Sequence, residues 1–282
     1  MKYIASAAVA IFISVFGLAR SGNAQNLEPF AKTEVSIGAE KETGHAAGAR
    51  GTFKLLGTYP LMGSIGIQAG THLVTGRGAR IGLNGGPVLS WGQTSLLFPG
   101  KAGFFVAYQH RGQGSGNFVW LRPAMALYFD RANVNLWYSH PVSSGNSLGG
   151  GKKEFASNRA QGTVSYFLPM DLWAPFMAKD NVELILGLQV NSFAGAGSGT
   201  LGTGVGPVLG VSFMPMRNLA VNVLRATWDS QSRYKVNTGL EYAFWTTKPI
   251  TTLKELRRKY LQPNDNSEDG AGTKRRRGGS GS

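Results

Sequence analysis

The sequence predicts a membrane-spanning, antiparallel up-and-down β-barrel of about twelve strands, with ten as the other count the pattern allows. Three observations predict it. Segment after segment alternates apolar residues with polar residues or glycine at period two. Glycine supplies 40 of 282 residues, about twice its usual share of ~7%. Beyond the N-terminus, no apolar run reaches the ~20 residues that a spanning helix needs.

The chain opens with Met1-Lys2, a short basic start. A near-continuous apolar run follows from Tyr3 to Leu18, then small and polar residues to Ala24. Gly22 and Ala24 suit the −3 and −1 positions of a signal-peptidase site, so residues 1–24 are expected to be a cleaved export signal. Export fits a chain without cysteine, which also excludes disulfides, thiol nucleophiles and zinc–thiolate sites.

Residues 25–245 are expected to form the barrel. Twelve segments alternate: 32–40, 46–56, 61–73, 79–91, 101–110, 118–129, 132–140, 156–168, 182–193, 200–213, 216–227 and 234–245. From Val182 on, Leu184, Leu186, Leu188 and Val190 interleave with Glu183, Gly187, Gln189 and Asn191. Successive strand side chains point to opposite faces, so each segment has one apolar face and one polar or glycine face. Most segments match the ~9–11 residues of a tilted membrane strand, and single-chain bacterial barrels have an even strand count. Glycine-rich or polar breaks separate them, among them Gly57-Thr58-Tyr59-Pro60 and Thr75-Gly76-Arg77-Gly78. Aromatics gather at strand ends, where a membrane barrel carries its interfacial girdles: Phe53, Trp91, Tyr166 and Phe213 toward one rim, Tyr108, Tyr138 and Tyr234 toward the other. Lipid and lipopolysaccharide are the expected surroundings of such a wall.

The formal net charge is +14, of which +2 falls in residues 1–24 and +5 in residues 246–282, leaving +7 spread over the barrel. A diffuse positive balance on an exported chain argues for acidic solutes or anionic headgroups and against nucleic acid. Following the alternation inward places Arg50, Lys54, Arg80, Arg122, Arg159 and Lys235 in the lumen with Glu34, Glu183 and Glu241. Gly48, Gly66, Gly82, Gly86, Gly202, Gly204, Gly206 and Gly239 share that face. A lumen lined by glycine and scattered cations can hold a water-filled passage that favours anions, so passive diffusion of small anionic solutes is the expected function. The alternative reading is a closed structural or adhesive barrel, with the same charges paired into salt bridges.

Other motifs carry less chemistry. Gly197-Ser198-Gly199-Thr200-Leu201-Gly202 matches G-x-G-x-x-G, but strand-like sequence follows where a dinucleotide site needs a helix. His45, His72, His110 and His140 lack metal-ligand spacing, and no cofactor is expected.

Two stretches support resemblances. Asn237-x-Gly239-x-x-Tyr242-x-Phe244, on the last amphipathic segment, resembles the C-terminal assembly signal of outer-membrane β-barrel proteins; the resemblance implies recognition by the barrel-assembly machinery. The signal ends most such chains, whereas 37 residues follow Trp245 here. His140-Pro141-Val142-Ser143-Ser144, with Asn158 opening the next segment, is faintly similar to outer-membrane phospholipase A, a twelve-stranded barrel with its site on the outer wall. That resemblance implies His140 as base, Ser143 or Ser144 as nucleophile and Asn158 as the group orienting the imidazole. The family's serine comes two residues after its histidine; here Pro141 and Val142 intervene.

Residues 246–282 are expected to form a periplasmic basic tail. Thr252-Leu253-Lys254-Glu255 matches a capping box, which predicts a short helix over 252–261 that stops before Pro263. Leu253, Leu256, Tyr260 and Leu261 share one face of it, opposite Lys254, Arg257 and Arg258. A helix this short needs a surface to pack on, such as the barrel mouth.

Overall fold

The computed structural model describes residues 26–41, 46–76, 79–92, 98–111, 117–142, 146–147, 152–169, 180–193, 203–261 and 271–275. The expected export signal and Gly197 to Gly202 lie outside these residues.

Twelve strands form the barrel wall: β1 (Phe30–Lys41), β2 (Gly48–Met62), β3 (Ile65–Thr75), β4 (Arg80–Trp91), β5 (Gly100–Arg111), β6 (Asn117–Tyr128), β7 (Ala132–Pro141), β9 (Lys152–Phe167), β10 (Val182–Phe193), β11 (Gly204–Met216), β12 (Leu219–Trp228) and β13 (Tyr234–Thr246). β8 (Asn146–Ser147) and β14 (Ala271–Arg275) are short additions, and α1 (Leu253–Arg258) is the helix. Each wall strand pairs antiparallel with its sequence neighbours, and β13 pairs with β1 from Phe30↔Thr246 to Lys41↔Tyr234. The wall is therefore closed. Closure satisfies every strand's backbone groups, the condition for a sheet in hydrocarbon. Among the described residues no helix is long and apolar enough to cross a membrane.

The alternation sorts the side chains as the sequence pattern predicts. Lys32, Glu34, Gln68, His72, Arg122, Asn133, Glu183 and Glu241 are buried inside. Val35, Ile37, Leu83, Leu186, Leu188, Leu240 and Phe244 stand exposed on the outer wall. A water-soluble protein would invert this arrangement; an apolar band facing lipid requires it.

Some boundaries differ from the sequence expectation. β2 runs through Gly57-Thr58-Tyr59-Pro60 to Met62, and the turn is Gly63-Ser64. Thr58 continues the inward face, Pro60 falls where the register with β3 shifts, and Gly63 takes the positive φ (51°) that the tight turn needs. Trp91, expected in the outer girdle, is buried against Leu89 and Ala102, with its Nε1 donating to the Phe98 carbonyl at 2.8 Å.

The turns Gly63-Ser64 and Arg217-Asn218 and both ends of the wall, Phe30 and Thr246, lie at one end of the barrel; Lys41, Gly48, Arg111, Asn117, Trp228 and Tyr234 lie at the other. α1 sits at the first end. β14 sits at the second, paired with Lys152 to Ala156 of β9, a stretch that extends past the last rungs β9 shares with β7 and β10. An overhanging strand edge accepts a further strand. The tail thus divides, rather than resting wholly beside α1.

Candidate functional site: the lumen and its closed end

The inward charges form linked ion pairs. At the upper level, Arg50 Nη1 lies 2.9 Å from Glu40 Oε2, and Arg80 bonds the other oxygen of Glu40. At mid-height, Lys54 Nζ is 3.4 Å from Glu34 Oε1. Arg122, fully buried, donates from Nε to the Ser139 hydroxyl at 3.3 Å and lies over the Trp120 ring. Arg159 donates to Asn191 at 2.7 Å. Of the charged residues read from the alternation, Glu34, Arg50, Lys54, Arg159, Lys235 and Glu241 line one hollow inside the wall, and Arg80, Arg122 and Glu183 are buried. Pairing is more extensive than a bare ring of cations, as the closed-barrel alternative anticipates.

The glycines do not all leave open space. A Cβ at Gly82 would lie 1.9 Å from Cε1 of His72, so the room at Gly82 is filled by that imidazole, which also meets Gln109 Nε2 at 3.2 Å.

At the end bearing α1 the lumen is filled by the segment Ile250 to Leu261. Thr252 caps α1, its Oγ1 accepting from Glu255 N at 3.1 Å, while the Glu255 carboxylate reaches back to Thr251 N at 3.2 Å. This satisfies amides that a helix start leaves open. Ile250, Leu253, Leu256 and Tyr260 pack against Phe30, Leu56, Phe167 and Met214 of the wall. Leu261 enters a second cluster with Val88, Phe105 and Trp137. Tyr260 stacks on Phe30 at 5.8 Å, and Lys32 Nζ lies 4.0 Å from the Tyr260 ring centroid. The amide of Gln68 clasps Leu261 on both sides, donating to its carbonyl at 3.1 Å and accepting from its N–H at 2.9 Å.

Arg257 fixes this segment. Its guanidinium is wholly buried, with Nε 2.8 Å from Glu183 Oε2 and Nη1 2.8 Å from Glu241 Oε2. Nη2 donates to Asn222 at 3.1 Å and Nη1 to the Tyr260 hydroxyl at 2.8 Å. Burial favours the neutral guanidine, but the two carboxylates outweigh it and raise the Arg257 pKa well above the ordinary arginine value. Around the rim, Lys254 pairs with Asp180, Arg258 donates to Asn133 at 3.1 Å and Lys259 pairs with Glu28, whose carboxyl Lys259 holds below its usual pKa.

Above this floor lies a hollow of about 100 Å³, lined by Glu34, Arg50, Lys54, Arg159, Arg225, Lys235 and Glu241 among others. Arg225 was not among the cations read from the sequence. Register shifts at Val223-Leu224, and this bulge turns Arg225 inward beside Asn237 instead of toward lipid. Its Nη2 lies 3.2 Å from Asn222 Oδ1 and 3.5 Å from Glu183.

On β13, Asn237 and Gly239 face inward while Tyr242 and Phe244 are exposed outward, so the motif's polar and aromatic positions fall on opposite faces. On the outer wall, His140 Nδ1 lies 2.8 Å from Asn158 Oδ1, bringing together the imidazole and carboxamide of the phospholipase-like constellation. Ser143 and Ser144 lie outside the described residues. His110 and Asn117 make the same contact at 2.8 Å, with Ser115 five residues after that histidine in the sequence. The imidazole–carboxamide pair therefore occurs twice on the wall and does not by itself single out His140.

A closed twelve-strand wall with polar residues inside and an apolar band outside is the fold of bacterial outer-membrane β-barrel proteins. Two solved structures agree on the fold. A membrane-protein structure from work on in-meso crystallization aligns with TM-score 0.59 at 12% identity, covering 87% of this chain and 100% of that one. An outer membrane channel from Pseudomonas putida F1 aligns with TM-score 0.55 at 12% identity over 79% of this chain and 98% of that one. KdgM porin aligns with TM-score 0.48 at 10% identity, covering 75% and 99%. No protein-family model and no curated protein matches the chain.

Proposed function

We propose that this protein is an outer-membrane channel for passive diffusion of small, preferably anionic solutes, shut at its periplasmic mouth by residues 250–261 in the conformation described here. One observation carries the anion preference: the hollow is lined by five cations, Arg50, Lys54, Arg159, Arg225 and Lys235, against two carboxylates, Glu34 and Glu241. A surplus of fixed positive charge lowers the barrier for anions and raises it for cations. In this reading residues 1–24 are removed on export, the barrel-assembly machinery reads Asn237 to Phe244, and the end bearing α1 faces the periplasm. The reversal potential of single channels in a planar bilayer under a salt gradient tests it. A clear cation preference would overturn the proposal.

The network around Arg257 favours a second reading, a permanently closed structural barrel. A barrel of that kind stays silent in the bilayer even without its C-terminal segment.

We propose no enzymatic role. Purified protein in mixed micelles with calcium is expected to release no fatty acid from phospholipid. Release that disappears in His140→Ala, with the heat-modifiable barrel intact, would restore the lipase reading.

A further inference from the structure

The outer wall carries one side-chain arrangement twice. On β5, Tyr108 and His110 project outward two residues apart, with Asn117 of β6 directly opposite His110. The Tyr108 hydroxyl donates to Asn117 Oδ1 at 2.8 Å, and His110 Nδ1 lies 2.8 Å from the same oxygen. On β7, Tyr138 and His140 repeat the spacing, with Asn158 of β9 as partner. The Tyr138 hydroxyl donates to Asn158 Oδ1 at 3.1 Å, and His140 Nδ1 lies 2.8 Å away.

An amide oxygen only accepts, so each Nδ1 donates to it; with the proton on Nδ1, an imidazole presents Nε2 as an acceptor. The carboxamide NH₂ of Asn158 is a donor beside one of these acceptors. Both clusters lie at the strand ends away from α1. His110↔Asn117 is the last rung of β5 with β6, and Asn158 adjoins the last rung of β7 with β9, Ser139↔Arg159. Below them the same faces carry exposed Val106, Leu136 and Val164. Polar groups on a lipid-facing wall are tolerated at the interface, where headgroups can satisfy them, and are costly deeper. The strands β5, β6, β7 and β9 are consecutive in the wall, which sets the two clusters on the order of 10 Å apart across the sheet.

An acceptor beside a donor matches a hydroxyl group, which donates and accepts at once, and a tyrosine ring offers an apolar face to a sugar. We propose that the paired Tyr–His–Asn clusters form an outer-wall binding site for the sugar headgroup of an outer-leaflet glycolipid, one headgroup spanning both. The proposal rests on the lipid-facing character of this wall and is independent of whether the lumen conducts.

Native mass spectrometry of the full-length protein in detergent tests it, with rough-form lipopolysaccharide as the probe and phosphatidylethanolamine as the hydroxyl-poor control. The wild type should retain the glycolipid in preference to the control. His110→Phe/His140→Phe should reduce glycolipid retention at least about tenfold, the loss of two polar contacts of ordinary strength, with control-lipid retention and heat-modifiability unchanged. Asn117→Leu/Asn158→Leu should give the same loss by removing the oxygens that orient both imidazoles and the Asn158 donor, and serves if the histidine pair fails to fold. Equal retention of both lipids by the wild type, or undiminished glycolipid retention by either folded double variant, would overturn the proposal.

Discussion

A chain ending at Lys248 should form the same barrel and conduct at least about tenfold better than the full-length protein, because the obstruction at a pore's narrowest point sets its resistance. The truncation keeps all of β13 and its register with β1, so the closing hydrogen bonds survive. It removes Ile250 to Leu261, which fills the mouth at the α1 end, and β14, which is an addition to β9 rather than part of the wall. The wall carboxylates exposed by the cut retain cations. Glu241 keeps Lys32 Nζ at 2.8 Å, and Glu183 keeps Arg225 at 3.5 Å. Arg257→Ala in the full chain should move the same way with the segment still attached. Deleting one partner of a buried ion pair costs on the order of 3–5 kcal/mol, and here that cost falls on the docked state alone. Undocked, the two carboxylates are hydrated. The variant should flicker between a closed and an open level in single-channel records where the wild type stays closed. If the truncated barrel folds, as judged by its mobility shift on heating, yet conducts no better than the full chain, α1 does not close the pore.

Much of the wall was legible because its physics is local. A strand in a membrane barrel must show lipid one face and the lumen the other, so the code repeats every two residues and each strand is read without its neighbours. Val182 to Phe193 is the clearest case, with strand bounds identical in sequence and structure. The apolar face of α1 and its capping box were legible for the same reason. Arg257 was not. On the helix it belongs with Lys254 and Arg258, and a basic face at a mouth reads as solvated; its burial is set by Glu183 and Glu241, which lie 74 and 16 residues away in the chain. Arg225 was hidden by the bulge at Val223-Leu224, which breaks the parity on which the inward list was built. The space expected at Gly82 was taken by His72, a pairing across β3 and β4 that depends on register rather than on either strand alone. The repeated Tyr-x-His spacing stood in plain view at 108–110 and 138–140, but its asparagine partners emerge only when the strands are paired.

In the open, truncated barrel, replacing both Arg159 and Lys235 with Glu should turn an anion-preferring pore into a cation-preferring one. The lining holds five cations and two carboxylates, a surplus of three. Two charge reversals remove two positive charges and add two negative ones, which leaves a deficit of one. These positions suit the test because both line the hollow. Arg159 is held by the neutral Asn191, whereas Arg50 and Lys54 serve Glu40 and Glu34, and reversing those would set carboxylate against carboxylate inside the barrel. Both positions lie on the polar lining of the hollow, where a new carboxylate can be hydrated and its effect on folding is small beside its effect on permeation. Neutral replacements, Arg159→Gln with Lys235→Gln, should fall between, leaving a surplus of one and a weakened anion preference. The reversal potential under a tenfold salt gradient reads the outcome directly, because its sign follows the preferred ion. Three barrels ordered by lining charge should give three potentials in the same order. An unchanged anion preference in the doubly reversed barrel would show that selectivity is set elsewhere, at the rim or by the connections above the hollow.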